Sequence, residues 1–366
     1  MGHFTRQLKK EENDFQQLQE GYVNFMKRFL FLFTVALCLL SGCAKKQPEK
    51  IVWPPPPDTP RLEFIGNFYS KKDFPQTPGM VALRRFIIGD VADFALTSPF
   101  GIASDGEGKV FISDIHAKTV HIFDFNEQKI SRIGGAGTFD LPLGLAIDSN
   151  KNIYVADGSR NVVMVFSSDK EPLFSFGHDI LKKASYLALD EERNRIYASD
   201  AIANKVRVFN MGGEHLFDIG LGRGNADGAF HAPQGLGVAS NGNLYVADMF
   251  NARIEYFSPD GEFIGKFGER GDRIDQLDNP KDVAFDSEGN LYIIDSRAAR
   301  LSIYTQTGQL LLTLGGGHTG HRLGFAAPKS VSIDKNDRIY VAEVTNKRFT
   351  IWQYYSKKYL EKAPQP

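Results

Sequence analysis

The chain runs to 366 residues, with 43 lysines and arginines against 44 aspartates and glutamates. At 42% hydrophobic and 24% charged it is neither a disordered tail nor a multi-span membrane protein. The even charge balance argues against a nucleic-acid coat. Two cysteines, Cys38 and Cys43, exclude a disulfide framework, a zinc ribbon and a CxxCH haem site.

Residues 1–25 have no place ahead of a secretory signal and read as an upstream extension of a chain that starts at Met26. Met26-Lys27-Arg28 is a short basic stretch, and Phe29 to Leu40 is an uncharged apolar run. That run is too short to span hydrocarbon but suits the central region of such a signal. It ends in Leu40-Ser41-Gly42-Cys43, which resembles a bacterial lipobox. Small residues admit the signal peptidase, and the Cys43 thiol takes the lipid. The expectation is a signal peptide over 26–42 and an acylated Cys43, in the bacterial cell envelope. The outer membrane is favoured over the inner, because Ala44 and Lys45 supply no retaining aspartate. Residues 43–60, with prolines at 54 through 57, read as a tether. Polyproline geometry, about 3.1 Å per residue, would let it hold a domain up to roughly 50 Å from the lipid.

From residue 99 one pattern recurs six times, as in PFGIASDGEGKVFISD, PQGLGVASNGNLYVAD and PKSVSIDKNDRIYVAE. Its anchor acids are Asp114, Asp157, Asp200, Asp248, Asp295 and Glu343, spaced 43, 43, 48, 47 and 48 apart. Nine residues beyond each stands an aromatic: Phe123, Phe166, Phe209, Phe257, Tyr304 and Trp352. Each copy reads as four strands, here a to d, parted by Gly/Asn/Asp turns, and strand d ends in glycine. Four strands in so few residues cannot bury both faces alone. Radial stacking around an axis can, which is an all-β, six-bladed propeller.

The run A-P-Q-G-L-G-V-A-S-N-G-N-L-Y-V-A-D-M-F-N-A-R-I, residues 232–254, resembles the NHL repeat. Copy three departs furthest, with Ala184 for the usual proline and Tyr186 for the usual glycine. Lipobox, proline stretch and six copies together resemble bacterial NHL-type propeller lipoproteins. The sixth copy lacks a strand d, and Glu63-Phe64-Ile65-Gly66-Asn67-Phe68 matches the fourth copy's Glu262 to Phe267 at five of six positions. The N-terminal strand is therefore predicted to complete the last blade of a domain over 61–356, with 357–366 as a tail. A closed ring leaves no large open sheet edge. The connection 69–98 is much longer than its counterparts. Leu83, Phe86, Ile87, Val91 and Phe94 lie near helical spacing, which predicts a short helix capping the loop-bearing end.

Ligands of such rings dock at the end that carries the d–a and b–c connections, or in the axial channel. The residue after each strand-a proline should point near the axis: Phe100, Leu143, Ser185, Gln234, Lys281 and Lys329. Around them lie His116, Lys118, Arg160, Asn204, Asn251, Arg297, Asn346 and Lys347 of the b–c turns. Six equivalent anchor acids point to a fold requirement, each fixing the turn after it. Arg253, Arg300 and Arg348, five residues past an anchor, are expected to pair with nearby acids. His318 and His321 sit among glycines that disfavour a helical metal motif.

No nucleophile–base pair, metal cluster or cofactor motif stands out, so no catalytic, metal or cofactor residue is assigned. The expectation is a monomeric, lipid-anchored envelope ring that binds a partner protein or glycan and no nucleic acid. The alternative implied by the resemblance is a metal-dependent enzyme, akin to calcium-dependent lactonases or a zinc-dependent amidating lyase. Near the axis only Asp282 offers a carboxylate for such a site.

Overall fold

Alternation of apolar and polar residues, cut by glycine turns, makes each repeat an antiparallel meander. The second repeat, for example, gives strands Pro142–Ile147, Ile153–Asp157, Val162–Phe166 and Pro172–Phe176. The computed structural model describes residues 26–27, 50–74, 94–135, 137–316 and 322–362. Ile51–Pro366 forms one compact unit. Met1–Lys50 forms another, of which only Met26, Lys27 and Lys50 are described. The upstream extension, the signal peptide and Cys43 therefore lie outside the described residues. No described helix is long and apolar enough to cross a membrane.

Six sheets surround an axis, and in every one strand a is the inner edge. Each strand a packs against those of the blades before and after it, the sixth against the first. The result is a closed six-bladed β-propeller. The repeated aromatics fill the space between blades, all six at 2% exposure or less.

Closure agrees with the sequence prediction. Leu62–Phe68 pairs antiparallel with strand c of the sixth blade, Arg348–Tyr354, in a register that includes Phe64 opposite Trp352. The two rings meet edge to face at 5.1 Å. The expected tether needs correction. Ile51–Trp53 pairs with Leu62–Phe64 as a fifth strand of this blade, so Pro54 to Pro57 lie in the connection of a hairpin. Trp53 Nε1 also donates to the Thr313 carbonyl of blade five at 3.1 Å. The apolar Ile-Val-Trp triplet outweighs its proline-rich neighbours, because it covers the open edge of the closing strand and packs on a buried cluster. A stalk could therefore extend no further than Lys50. The tail is partly ordered as well: Lys357–Lys362 forms a short helix.

Of the long connection only its two ends are described. Ser70 caps the 3-10 turn Lys71–Asp73, and Phe74 is buried against Phe123 and Phe125. The predicted capping helix falls mostly on residues 75–93, outside the described residues.

Candidate functional site

The anchor acids show how the loop-bearing end is built. Each closes strand b and is at most 1% exposed. Asp295 accepts from the amides of Asp278 and Asn279 in the preceding d–a loop, and of Arg297 and Ala298 in the b–c turn beyond it. Asp114, Asp157 and Asp200 likewise bind amides on both sides. One carboxylate thus locks two connections per blade, which is the structural role expected plus a reach into the d–a loop.

Every inner strand breaks register just after its first residue. A bulge of this kind turns a side chain out of the ladder. Phe100, Leu143, Ser185, Gln234, Lys281 and Lys329 all fall in these breaks. Leu143 and Ser185 are buried, at 5% and 3% exposure. Gln234 turns onto its own backbone, donating to the Pro233 carbonyl at 3.1 Å. Phe100 meets the Tyr186 ring at 5.5 Å.

The b–c residues divide by what they touch. Asn204, Asn251 and Asn346 are braces. Asn204 accepts from Ala232 N at 2.9 Å, while Asn251 and Asn346 donate to their anchor acids at 2.6 and 2.8 Å. Arg160 and Arg297 pair with loop acids, Asp140 at 2.8 Å and Asp278 at 3.2 Å. His116, Lys118 and Lys347 remain exposed on the rim. Lys118 and Lys347 also hold the left-handed turn position, with φ of 51° each.

The mouth itself is cationic. Burial, with Lys329 and Lys183 nearby, pulls the Lys281 ammonium down to about 8, and burial lowers Lys329 as well. Lys281 Nζ contacts Met249 Sδ at 2.6 Å and Lys329 Nζ donates to Ser296 Oγ at 3.3 Å. Among the described residues neither has a carboxylate partner.

Sequence reasoning noted Tyr186 as a departure without giving it a role. The equivalent residues are Gly101, Gly144, Gly235, Asp282 and Ser330. The column is otherwise small or short, and this contrast was the available signal. Tyr186 is buried at 3% exposure, and its hydroxyl reaches blade six, opposite its own, donating to the Lys329 carbonyl at 2.8 Å. Beyond it lies a cavity of about 270 Å³ lined by the six inner strands, with Tyr186, Asp282 and Ser330 among its walls. Gly235 leaves room for Asp282, since a Cβ there would lie 2.2 Å from its Oδ1. Asp282 accepts from Ser330 Oγ at 2.6 Å and from Val331 N and Val283 N at 2.9 Å each. Burial, only partly offset by these bonds, raises its carboxyl to about 7.

These residues do not fit the calcium or zinc site of a metal-dependent lactonase or lyase. Asp282 already accepts three protein hydrogen bonds. Among the described residues no three His, Cys, Asp or Glu side chains group to hold a metal. His318 and His321 lie outside the described residues. Arg253 and Arg348 meet their anchor acids as expected, at 2.9 and 2.6 Å, whereas Arg300 makes no such pair.

Fold and mouth define a six-bladed β-propeller with a lysine-bearing loop face. No family model matches the chain. Protein brain tumor of Drosophila melanogaster is 41% identical over 61 residues, 17% of this chain and 6% of that protein. The chain thus spans a small fraction of that curated relative. A Bacteroides thetaiotaomicron protein of unknown function superposes with a TM-score of 0.59 at 18% identity, over 80% of this chain and 75% of that one. A gluconolactonase from Xanthomonas campestris gives 0.55 at 15%, over 80% and 98%. Virginiamycin B lyase from Staphylococcus aureus gives 0.53 at 13%, over 73% and 85%. At these identities the likeness is one of fold.

Proposed function

We propose that this propeller is a binding ring whose mouth takes an anionic group of a partner protein or glycan, held at a bacterial envelope by a lipid on Cys43. The observation that carries the reading is the pair Lys281 and Lys329, both part-buried, with the charge of Lys329 outweighing the pull of Asp295 on Lys281 and no carboxylate in ion-pair range of either among the described residues. A bound anion would relieve that repulsion and replace lost hydration. The experiment is calorimetric titration of the mature protein with polyglucuronate, an acidic peptide and neutral dextran. Binding of an acidic ligand alone, lost when Lys281 and Lys329 both become Gln, supports the reading; equal binding by the double variant rejects it. Palmitate incorporation that vanishes with Cys43→Ser tests the anchor separately.

The similar structures favour a second reading, since one is a lyase and another a gluconolactonase. Lys281 is the side chain suited to it. An ammonium that loses its proton near pH 8 leaves a fraction of free amine to act as a base near neutrality. Turnover of gluconolactone or of virginiamycin B that Lys281→Met abolishes would favour this reading over binding alone.

A further inference from the structure

Blades four, five and six carry an arginine at the same place on strand c: Arg253, Arg300 and Arg348. In blade four its Nε donates to the anchor acid Asp248 at 2.9 Å, and its terminal nitrogens donate to the carbonyls of Asn225, Ala226 and Ala229. In blade six Nε donates to Glu343 at 2.6 Å and Nη2 to the Gly324 carbonyl. Blade five differs. Arg300 Nη2 holds the carbonyls of Arg273 and Gln276, but the buried Nε has no hydrogen-bond partner among the described residues. Asp295 is taken up with four backbone amides instead.

A buried, unpartnered donor on a charged group is costly and rare. Arg300, 7% exposed, lines a rim cavity of about 700 Å³ with Arg270, Arg297, Asp272 and Asp278. The carboxylate of Asp278 is shared between Arg270 at 2.9 Å and Arg297 at 3.2 Å. Among the lining residues three guanidiniums stand against two carboxylates. The place of Arg297 is taken by Phe250 in blade four and Thr345 in blade six, so this arginine group belongs to blade five alone.

We infer that the cavity bounded by Arg270, Arg297 and Arg300 is a binding site for an oxyanion, the phosphate or carboxylate of a small ligand. An anion there would be met by the Arg297 and Arg270 forks turning from Asp278, with the Arg300 charge behind them. Neither mouth lysine lines this cavity, and the inference does not rest on them.

The test is calorimetric titration of the full chain with inorganic phosphate, and in a second arm with acetate, at low ionic strength. Arg297→Gln is the leading variant because its exposed side chain makes only the ion pair with Asp278 among the described residues; Arg300→Gln is the second. Arg223→Gln in the equivalent loop of blade four and the Lys281→Gln, Lys329→Gln pair are the controls. Binding should weaken about tenfold or more in Arg297→Gln, the loss of one charged hydrogen bond, and survive in both controls. The arm that binds more tightly identifies the anion. If neither anion binds the wild-type chain, or if Arg297→Gln binds as well as wild type, the inference is overturned.

Discussion

Tyr186 offers the sharpest test of how the ring is held at its centre. Its phenol belongs to blade three but is anchored to the Lys329 carbonyl of blade six, so it braces opposite sides of the axis. Removing only the hydroxyl, Tyr186→Phe, leaves that carbonyl facing an apolar ring and should cost about 1–3 kcal/mol. An aromatic side chain buries about 150–250 Å², which at about 25 cal/mol per Å² is roughly 4–6 kcal/mol for Tyr186→Ala. The polar axial cavity beside it can admit water to the space left behind, so about 3–5 kcal/mol is the expected loss. Urea denaturation followed by the fluorescence of Trp53 and Trp352, both in the closing blade, reads both numbers. Hydrogen exchange over residues 328–333 should quicken in the alanine variant. A pair of variants that unfold at the wild-type midpoint would refute the brace. So would a phenylalanine variant as stable as the wild type, because the hydroxyl would then hold nothing across the axis.

The geometry makes two more outcomes testable. Deleting residues 51–68 strips two strands from the sixth blade and uncovers Trp352, so the melting temperature should fall sharply in a thermal scan; an unchanged melt would mean the ring closes another way. Lys281 has a folded pKa near 8 against a reference of 10.5, so below pH 8 the folded state bears the full cost of a half-buried charge. Between pH 8 and 10.5 the unfolded chain holds more protons and wild-type stability should rise with pH. Lys281→Met should accordingly be the more stable protein at pH 7, with the gap closing by about pH 10.5 in chemical denaturation curves.

Much of this architecture was legible because a repeat is a periodic signal. The spacing of Asp114 through Glu343 counts the blades, the aromatic nine residues on marks the strand c that fills the seam, and Glu63 to Phe68 echoes the strand that the sixth copy lacks. What misled was local composition. Pro54 to Pro57 suggest a stalk, yet three apolar residues ahead of them decide the fold by covering the edge of the closing strand Leu62–Phe68, which itself pairs with the far end of the chain. Similarly, Asn204, Asn251 and Asn346 look like ligand-facing polar residues, and only their partners show them tied into the loops.

Blade number and strand order were therefore written in the sequence, since pattern and period are local properties that each copy repeats, whereas the side chains predicted to face the axis (Phe100, Leu143, Ser185, Gln234, Lys281 and Lys329) do not line the axial cavity. Which of those side chains stay available was decided by tertiary structure. The pairing of Tyr186 with Lys329 across the axis and the sharing of Asp278 between Arg270 and Arg297 join residues from different strands, loops or blades. Such meetings depend on the radius and tilt of the assembled ring, which no single repeat encodes.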